Sequence, residues 1–236
     1  MAIPKKIFQT YVTQDVPQLV REEIDSFMGL NPDFDYVLFT DEDMDSYVND
    51  TFDSDITSCY NRLNIAAAKA DFWRYLVLYK EGGVYLDIDA TILVPLSTFI
   101  DDEDEAIISA ETWKNLYVQW ALMFDKDHPI LERVIHVVLR NVKHNNYSSV
   151  HATTGPRAFS QAVNAVHSSN FGAKPYWEDM NADTDCRHSC DTFSYRFYGK
   201  KWNGVLQHKF PGHKCLYENI SDWRKDQKEV SLLVDE

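Results

Sequence analysis

Asp87 and Asp89 stand on either side of one residue inside an otherwise apolar run, Glu81-Gly-Gly-Val-Tyr-Leu-Asp-Ile-Asp-Ala-Thr-Ile-Leu93. From Val84 onward the run alternates, with Val84, Leu86, Ile88, Ala90 and Ile92 set against Tyr85, Asp87, Asp89 and Thr91. A period of two predicts a strand with one face on a core and two carboxylates on the other. Carboxylates are poor strand formers, and half-buried ones lose hydration that something must replace. A divalent cation does so: Mg2+ or Mn2+ takes hard oxygen ligands, and Mg2+ is usually held by one or two carboxylates plus phosphate oxygens and water. On a regular strand same-face neighbours stand roughly 6–7 Å apart, too far for both to ligate one ion directly. Either the strand bends at Asp89, or one aspartate reaches the ion through water.

The D-x-D pattern alone is weak evidence, because this acidic chain contains it eight times. Only the pair at 87 and 89 interrupts an apolar strand, directly after a Gly-Gly that ends a helix. The other seven lie in polar, loop-like surroundings, where solvated acids are the ordinary state.

The element that delivers the chain into this strand is a helix predicted over Arg62 to Lys80, with Gly82-Gly83 suited to its C-cap. Leu63, Ala66, Ala67, Ala70, Trp73 and Val77 form its apolar stripe. Asp71 and Arg74 are three apart and share a face. They form either a surface ion pair, worth well under ~1 kcal/mol, or part of the cleft that the carboxylates line.

Upstream, Ile3 to Tyr11 reads as a first strand, Pro17 to Met28 as a helix carrying Leu19, Val20, Ile24 and Phe27, and Asp35 to Phe39 as a second strand. Thr40-Asp-Glu-Asp43 offers a T-x-x-D capping signature for a helix through about Val48. This rhythm predicts an α/β fold with parallel strands. Downstream, Asp101-Asp-Glu-Asp-Glu105 reads as a solvated loop, and Ala106 to Ser109 and Leu116 to Phe124 as strands. His128-Pro129 opens a helix on which His136 reads as a packed histidine. Thr153-Thr-Gly-Pro-Arg157 precedes a helix over Ala158 to Val166, either as ordinary N-terminal chemistry or as an anion-binding end. Phe193 to Tyr198 and Val205 to Phe210 read as short strands.

At 236 residues the chain is long enough for a substantial core, and 44% hydrophobic with 14% aromatic residues argues against disorder. A net charge of −14 argues against a nucleic-acid binder and against docking on anionic membranes. It leaves room for a phosphate-bearing substrate where a cation and local arginines reverse the sign. No apolar run reaches membrane-span length and the N-terminus lacks a signal-peptide core, so the expectation is a soluble cytoplasmic protein, or a piece of a longer anchored one. Three sequons carry no meaning without secretion. Cys186, Cys190, His213 and Cys215 loosely invite zinc, but the spacing is not that of paired knuckles, and isolated thiols, with Cys59, are the favoured reading.

The run from Ala68 to Asp89, with Asp71, Arg74, Gly82-Gly83, Tyr85, Asp87 and Asp89 in their spacing, resembles the signature of D-x-D glycosyltransferases of the glycosyltransferase family 32 type. That group includes yeast-type initiating α-1,6-mannosyltransferases and bacterial capsule glycosyltransferases, and is related to clostridial toxin glucosyltransferase domains. Ile3-Pro-Lys-Lys-Ile-Phe-Gln-Thr-Tyr11 is similar to the family's I-P-K-x-I-H-Q-x-W start, with Phe8 for the His and Tyr11 for the Trp. Thr154-Gly155-Pro156 and Glu218-Asn-Ile-Ser221-Asp-Trp223 are weaker points of similarity. The resemblance is dense over residues 1–95 and patchy beyond.

It implies a single GT-A domain over 1–236, a Rossmann-like mixed sheet flanked by helices. Residues 1–95 would form the nucleotide-sugar and metal half, and 96–236 the acceptor half with a closing C-terminal segment. By position, Asp71 would accept bonds from donor-sugar hydroxyls and Arg74 would contact the sugar or diphosphate. Asp87 would approach the ribose and reach the metal through water, Asp89 would bind the metal directly, and Tyr85 would join the donor site. Tyr11 would meet the base, and Ser221 and Trp223 would close over the diphosphate. Glu218 would stand near the metal, with His208 or His213 as a further ligand. The implied reaction is Mn2+- or Mg2+-dependent, retaining transfer of a hexose from a UDP- or GDP-sugar to a glycan or other acceptor hydroxyl. Two alternatives stand: a phosphatase of the haloacid-dehalogenase type, from the D-x-D-x-T of Asp87 to Thr91, and an inactive sugar-nucleotide binding module.

Overall fold

The computed structural model describes residues 2–111, 116–172, 185–200, 202–217 and 223–234. The chain opens with β1 (Lys6–Thr10), α1 (Gln18–Leu30), β2 (Asp35–Phe39) and α2 (Asp41–Thr51). The anticipated capping box starts α2: Thr40 Oγ1 accepts the Asp43 N–H at 3.1 Å, and the Asp43 carboxylate accepts the Thr40 N–H at 2.9 Å. On α1, Val20, Ile24 and Phe27 are buried as expected, whereas Leu19 is exposed.

The helix expected over Arg62 to Lys80 is two helices. Arg62 ends α3 (Ser54–Arg62), which Asp53 caps, and α4 spans Ala66–Glu81. Neither glycine nor proline marks the break; Leu63 is held there by a bridge to Leu233, far along the chain. Instead of one apolar stripe, α4 is buried on every side from Asp71 to Leu78, while Ala66 is exposed. Gly82 caps it at φ 63°, and a Cβ there would stand 2.6 Å from Pro4 Cδ and 2.9 Å from the Lys126 nitrogen. Only glycine fits that position.

The strand expected from Val84 to Leu93 also divides. β3 (Gly83–Leu86) joins the main sheet, and β4 (Ala90–Ile92) pairs with the late strand β9 (Leu206–His208) in a separate two-stranded ribbon. Asp87 and Asp89 occupy the turn between them. The main sheet has seven strands in the order β2-β1-β3-β6-β5-β8-β7, with β5 (Ala106–Ala110), β6 (Ala121–Phe124), β7 (Asp185–Ser189) and β8 (Ser194–Lys200). β1 runs parallel to β2 and β3, β6 is antiparallel to β3 and β5, β8 is parallel to β5, and β7 is antiparallel to β8. Both sheet faces are covered. Val84 and Leu86 belong to a core with Val20, Ile24 and Phe27 of α1, and Tyr85 to a second core with Phe72 and Trp73 of α4. The second core also takes apolar side chains of α5 (Pro129–Lys143) and of the helix Pro156–Phe171.

Several other expectations change. The acidic run at 101–105 is not wholly solvated: Asp104 is buried, 2.7 Å from Arg187 on β7 and 3.2 Å from Arg196 on β8. His136 is exposed rather than packed. β7 runs through most of the Cys186–Cys190 stretch, and all four cysteines are free thiols. Of the strand expected over Leu116 to Phe124 only Ala121–Phe124 is regular, with Tyr117 bridging Ala110. Among the described residues no helix is long and apolar enough to cross a membrane.

Candidate active site

Arg74 ties two acids together. Its Nη2 lies 3.2 Å from Asp71 Oδ1 and 3.2 Å from Asp87 Oδ1. Nη1 donates to the Gln119 carbonyl at 3.0 Å, Nε to the Ala70 carbonyl at 3.3 Å, and the guanidinium lies 4.4 Å from the Tyr85 ring centre. Asp71 and Arg74 are only 7% and 5% exposed, so the pair lines the site rather than decorating the surface.

Asp71 accepts from Gln119 Nε2 at 3.0 Å on one oxygen and from Thr154 Oγ1 at 3.1 Å on the other. Burial, opposed by Arg74 and reinforced by Asp87, pushes its pKa up to about 6. The Thr154-Gly155-Pro156 turn therefore supports Asp71, while Arg157 is exposed and lies over the Tyr147 ring. A Cβ at Gly155 would come within 2.9 Å of His151 Cα and 3.2 Å of Asp71 Oδ2.

Asp87 Oδ1 accepts from the Tyr85 hydroxyl at 2.8 Å, and its backbone is fixed by the Trp120 carbonyl and Gln9 Nε2 at 2.7 and 3.1 Å. Burial raises its pKa, with Arg74 opposing and Asp89 adding. Asp89 Oδ2 accepts from the Tyr217 hydroxyl at 2.7 Å, and Oδ1 lies 3.3 Å from His208 Nε2. For Asp89, burial is outweighed by the hydrogen bonds and charge of its neighbours, chiefly His208, and the pKa falls. Asp87, Asp89 and His208 each present a ligand atom within 4.8 Å of the others, the one such group among the described residues.

The fold thus gathers Asp71, Arg74, Tyr85, Asp87 and Asp89 into one cluster. Tyr11 is buried at the end of β1, its N–H bonded to the Phe39 carbonyl and its ring in the core that Cys215 borders. His208, not His213, stands with the aspartates; His213 Nδ1 meets the Phe210 carbonyl at 2.9 Å. Trp223 is half-buried at the start of the short helix Trp223–Glu229, and Glu218 and Ser221 lie outside the described residues. Sequence reasoning missed Gln119, Trp120 and Tyr217. Gln119 carried a signal, being a polar residue inside an apolar run, as the aspartates are.

Two carboxylates and an imidazole on one small volume suit a divalent cation. Three acids against one guanidinium leave the cluster two negative charges in excess when His208 is neutral, and such a cation would balance them. An imidazole in the set suits Mg2+ less than a site of oxygen ligands alone. The phosphatase alternative places its aspartates after the first strand of a domain, whereas Asp87 follows the third.

A mixed sheet with helices on both faces and a D-x-D turn at the end of an inner strand is the architecture of a GT-A glycosyltransferase. The PaToxG glycosyltransferase shares this fold, with a TM-score of 0.58 and 18% identity over 70% of each chain. Residues 17–113 match the family described as the glycosyltransferase sugar-binding region containing DXD motif. Inositol phosphoceramide mannosyltransferase 3 of Schizosaccharomyces pombe is 32% identical over 157 residues, which are 66% of this chain and 43% of that protein. The initiation-specific alpha-1,6-mannosyltransferase of Candida albicans is 26% identical over 159 residues, 56% of this chain and 41% of that protein. The family match, the mannosyltransferase relatives and the shared fold together support a D-x-D glycosyltransferase similar to family 32. The chain spans under half the length of these two curated relatives.

Proposed function

We propose that the chain transfers a hexose from a nucleotide-diphosphate sugar to an acceptor hydroxyl, with retention at the anomeric carbon. The observation that carries this is the single cluster in which Arg74 joins Asp71, on the proposed sugar side, to Asp87, Asp89 and His208 on the metal side. Asp87, Asp89 and His208 would hold Mn2+ or Mg2+, with Glu218 as a further ligand. When bound, the cation supplies positive charge against the departing diphosphate. Asp71 accepts sugar hydroxyls and, with Arg74, orients the ring. In the transfer the bond from the anomeric carbon to the phosphate oxygen breaks, its electron pair leaving with the nucleoside diphosphate. The acceptor oxygen bonds on the same face, and its proton passes to the departing phosphate oxygen. Tyr11 would border the base, and Ser221 and Trp223 the diphosphate.

Both cited relatives are named as mannosyltransferases, which makes mannose the first sugar to test. Calorimetry with UDP, GDP, UDP-glucose and GDP-mannose in Mn2+, followed by release of nucleoside diphosphate with and without acceptor, tests the proposal. Micromolar binding of one nucleotide sugar and slow hydrolysis without acceptor are expected. Binding without turnover supports a binding module instead, and no binding of any of them sinks the reading.

A further inference from the structure

Two consecutive residues touch both halves of the cluster. Gln119 Nε2 donates to Asp71 Oδ1 at 3.0 Å, and the Gln119 carbonyl accepts from Arg74 Nη1 at 3.0 Å. The Trp120 carbonyl accepts the Asp87 N–H at 2.7 Å. The Trp120 indole lies flat on the His208 imidazole, centroids 4.9 Å apart and planes within 8°. Both residues are buried, at 4% and 7% exposed. The Gln119 side chain and carbonyl meet the Asp71–Arg74 pair, while the Trp120 ring meets His208.

We propose that Gln119 and Trp120 are the positioning residues of this site, Gln119 for the sugar-facing pair and Trp120 for the histidine of the metal group. The inference rests on the donor and metal reading above. A carboxylate has a broad, soft terminal torsion, and Asp71 is held by Gln119 on one oxygen and Thr154 on the other. Gln119 is itself fixed, because the Tyr75 hydroxyl accepts from its Nε2 at 2.6 Å and donates to the Thr154 carbonyl at 2.9 Å. Without that amide, Asp71 Oδ1 keeps only Arg74, and the carboxylate is free to turn about its terminal torsion. On the other side His208 sits on β9, in a different sheet from β3, and the flat face of Trp120 fixes where its ring can lie. Loss of the indole opens a cavity into which the imidazole can swing.

The test reads two quantities that a merely structural role would move together. Mn2+ affinity of the protein alone is measured by electron paramagnetic resonance of the free ion. Affinities for UDP, GDP, UDP-glucose and GDP-mannose are measured by calorimetry. Gln119→Leu is expected to weaken the bound nucleotide sugar about tenfold, leaving Mn2+ and the bare nucleotide within twofold of wild type. Trp120→Leu is expected to weaken Mn2+ by ~10–100-fold, the range for residues that orient a ligand. Adding His208→Ala to it should cost no more than a further twofold, because the two act as one unit. Trp120→Phe restores most of the affinity, and Trp120→Met replaces the leucine variant if that does not fold. Additive losses for Trp120 and His208, or a Gln119→Leu variant that loses Mn2+ and nucleotide alike, would overturn the inference. A wild-type chain that binds no Mn2+ overturns instead the metal assignment on which the Trp120 half rests.

Discussion

Asp87 and Asp89 bring carboxylate oxygens within 4.8 Å of each other because the chain leaves the seven-stranded sheet after Leu86 and turns through them. A continued strand would set these side chains roughly 6–7 Å apart. The turn is held from both ends: the Asp87 N–H bonds to the Trp120 carbonyl beside β6, and the Asp89 carbonyl accepts the Phe210 N–H beyond β9. What looks in the sequence like one alternating strand is two strands committed to different partners, with the acids at the junction.

Asp89→Asn should abolish cation-dependent turnover while leaving the fold intact. The loss should exceed the ~100-fold upper end found for residues that only orient ligands. Nucleoside diphosphate release in Mn2+, with circular dichroism as a control, measures it; retained activity would sink the metal assignment.

Asp71 makes a pH prediction. Its folded pKa of about 6 lies above the ordinary value of 3.8, so the folded state keeps a proton that the unfolded chain has already released. Its contribution to stability is then full below the unfolded value and is lost as pH rises to 6, by about 3 kcal/mol. In metal-free buffer, urea unfolding from pH 4 to 7 should show this slope in wild type and not in Asp71→Asn. The variant should be the more stable at pH 7 and inactive, as expected where a site holds charge at the expense of stability.

His128 predicts the opposite slope. Its Nδ1 accepts the Ile130 N–H at the start of α5, so Nε2 carries the proton and donates to the Ser194 carbonyl at 3.0 Å. Burial lowers its pKa to about 4. Protonating Nδ1 breaks the cap, so stability is complete above the unfolded pKa and falls as pH drops from 6.5 to 4, by about 3 kcal/mol. His128→Asn keeps a capping side chain without titrating, and its melting temperature should hold over that range where the wild type's falls.

Gly155→Ala should cost ~1–3 kcal/mol, the penalty for overfilling a packed site. Its new Cβ meets backbone at His151 and the Asp71 carboxylate. Donor affinity should fall with it, measured by calorimetry, because Asp71 must give way. An unchanged donor affinity would separate the turn from the site.

Much of the local structure was legible in the chain. Period-two alternation marked the strand before Asp87, the T-x-x-D signature marked the start of α2, and Gly82-Gly83 marked the end of α4. Asp71 and Arg74, one helical turn apart, could be paired from spacing alone. Their burial could not, since it depends on α4 being covered on every side by elements from the rest of the chain. Asp104 makes the same point: read in isolation it belongs to a solvated acidic run, and only Arg187 and Arg196, over 80 residues on, take it inside.

The sequence by itself singled out the acids that the fold gathers, because an acid inside an apolar run has no cheap place to go without a partner. Only the tertiary structure decided how they meet: that the strand breaks off just before the aspartates, that His208 rather than His213 joins them, and that Gln119 and Trp120 touch both halves. Local sequence encodes torsion preferences and the face a side chain takes. Contacts between segments more than a hundred residues apart follow from which strands share a sheet, and that is settled by burial of the whole core.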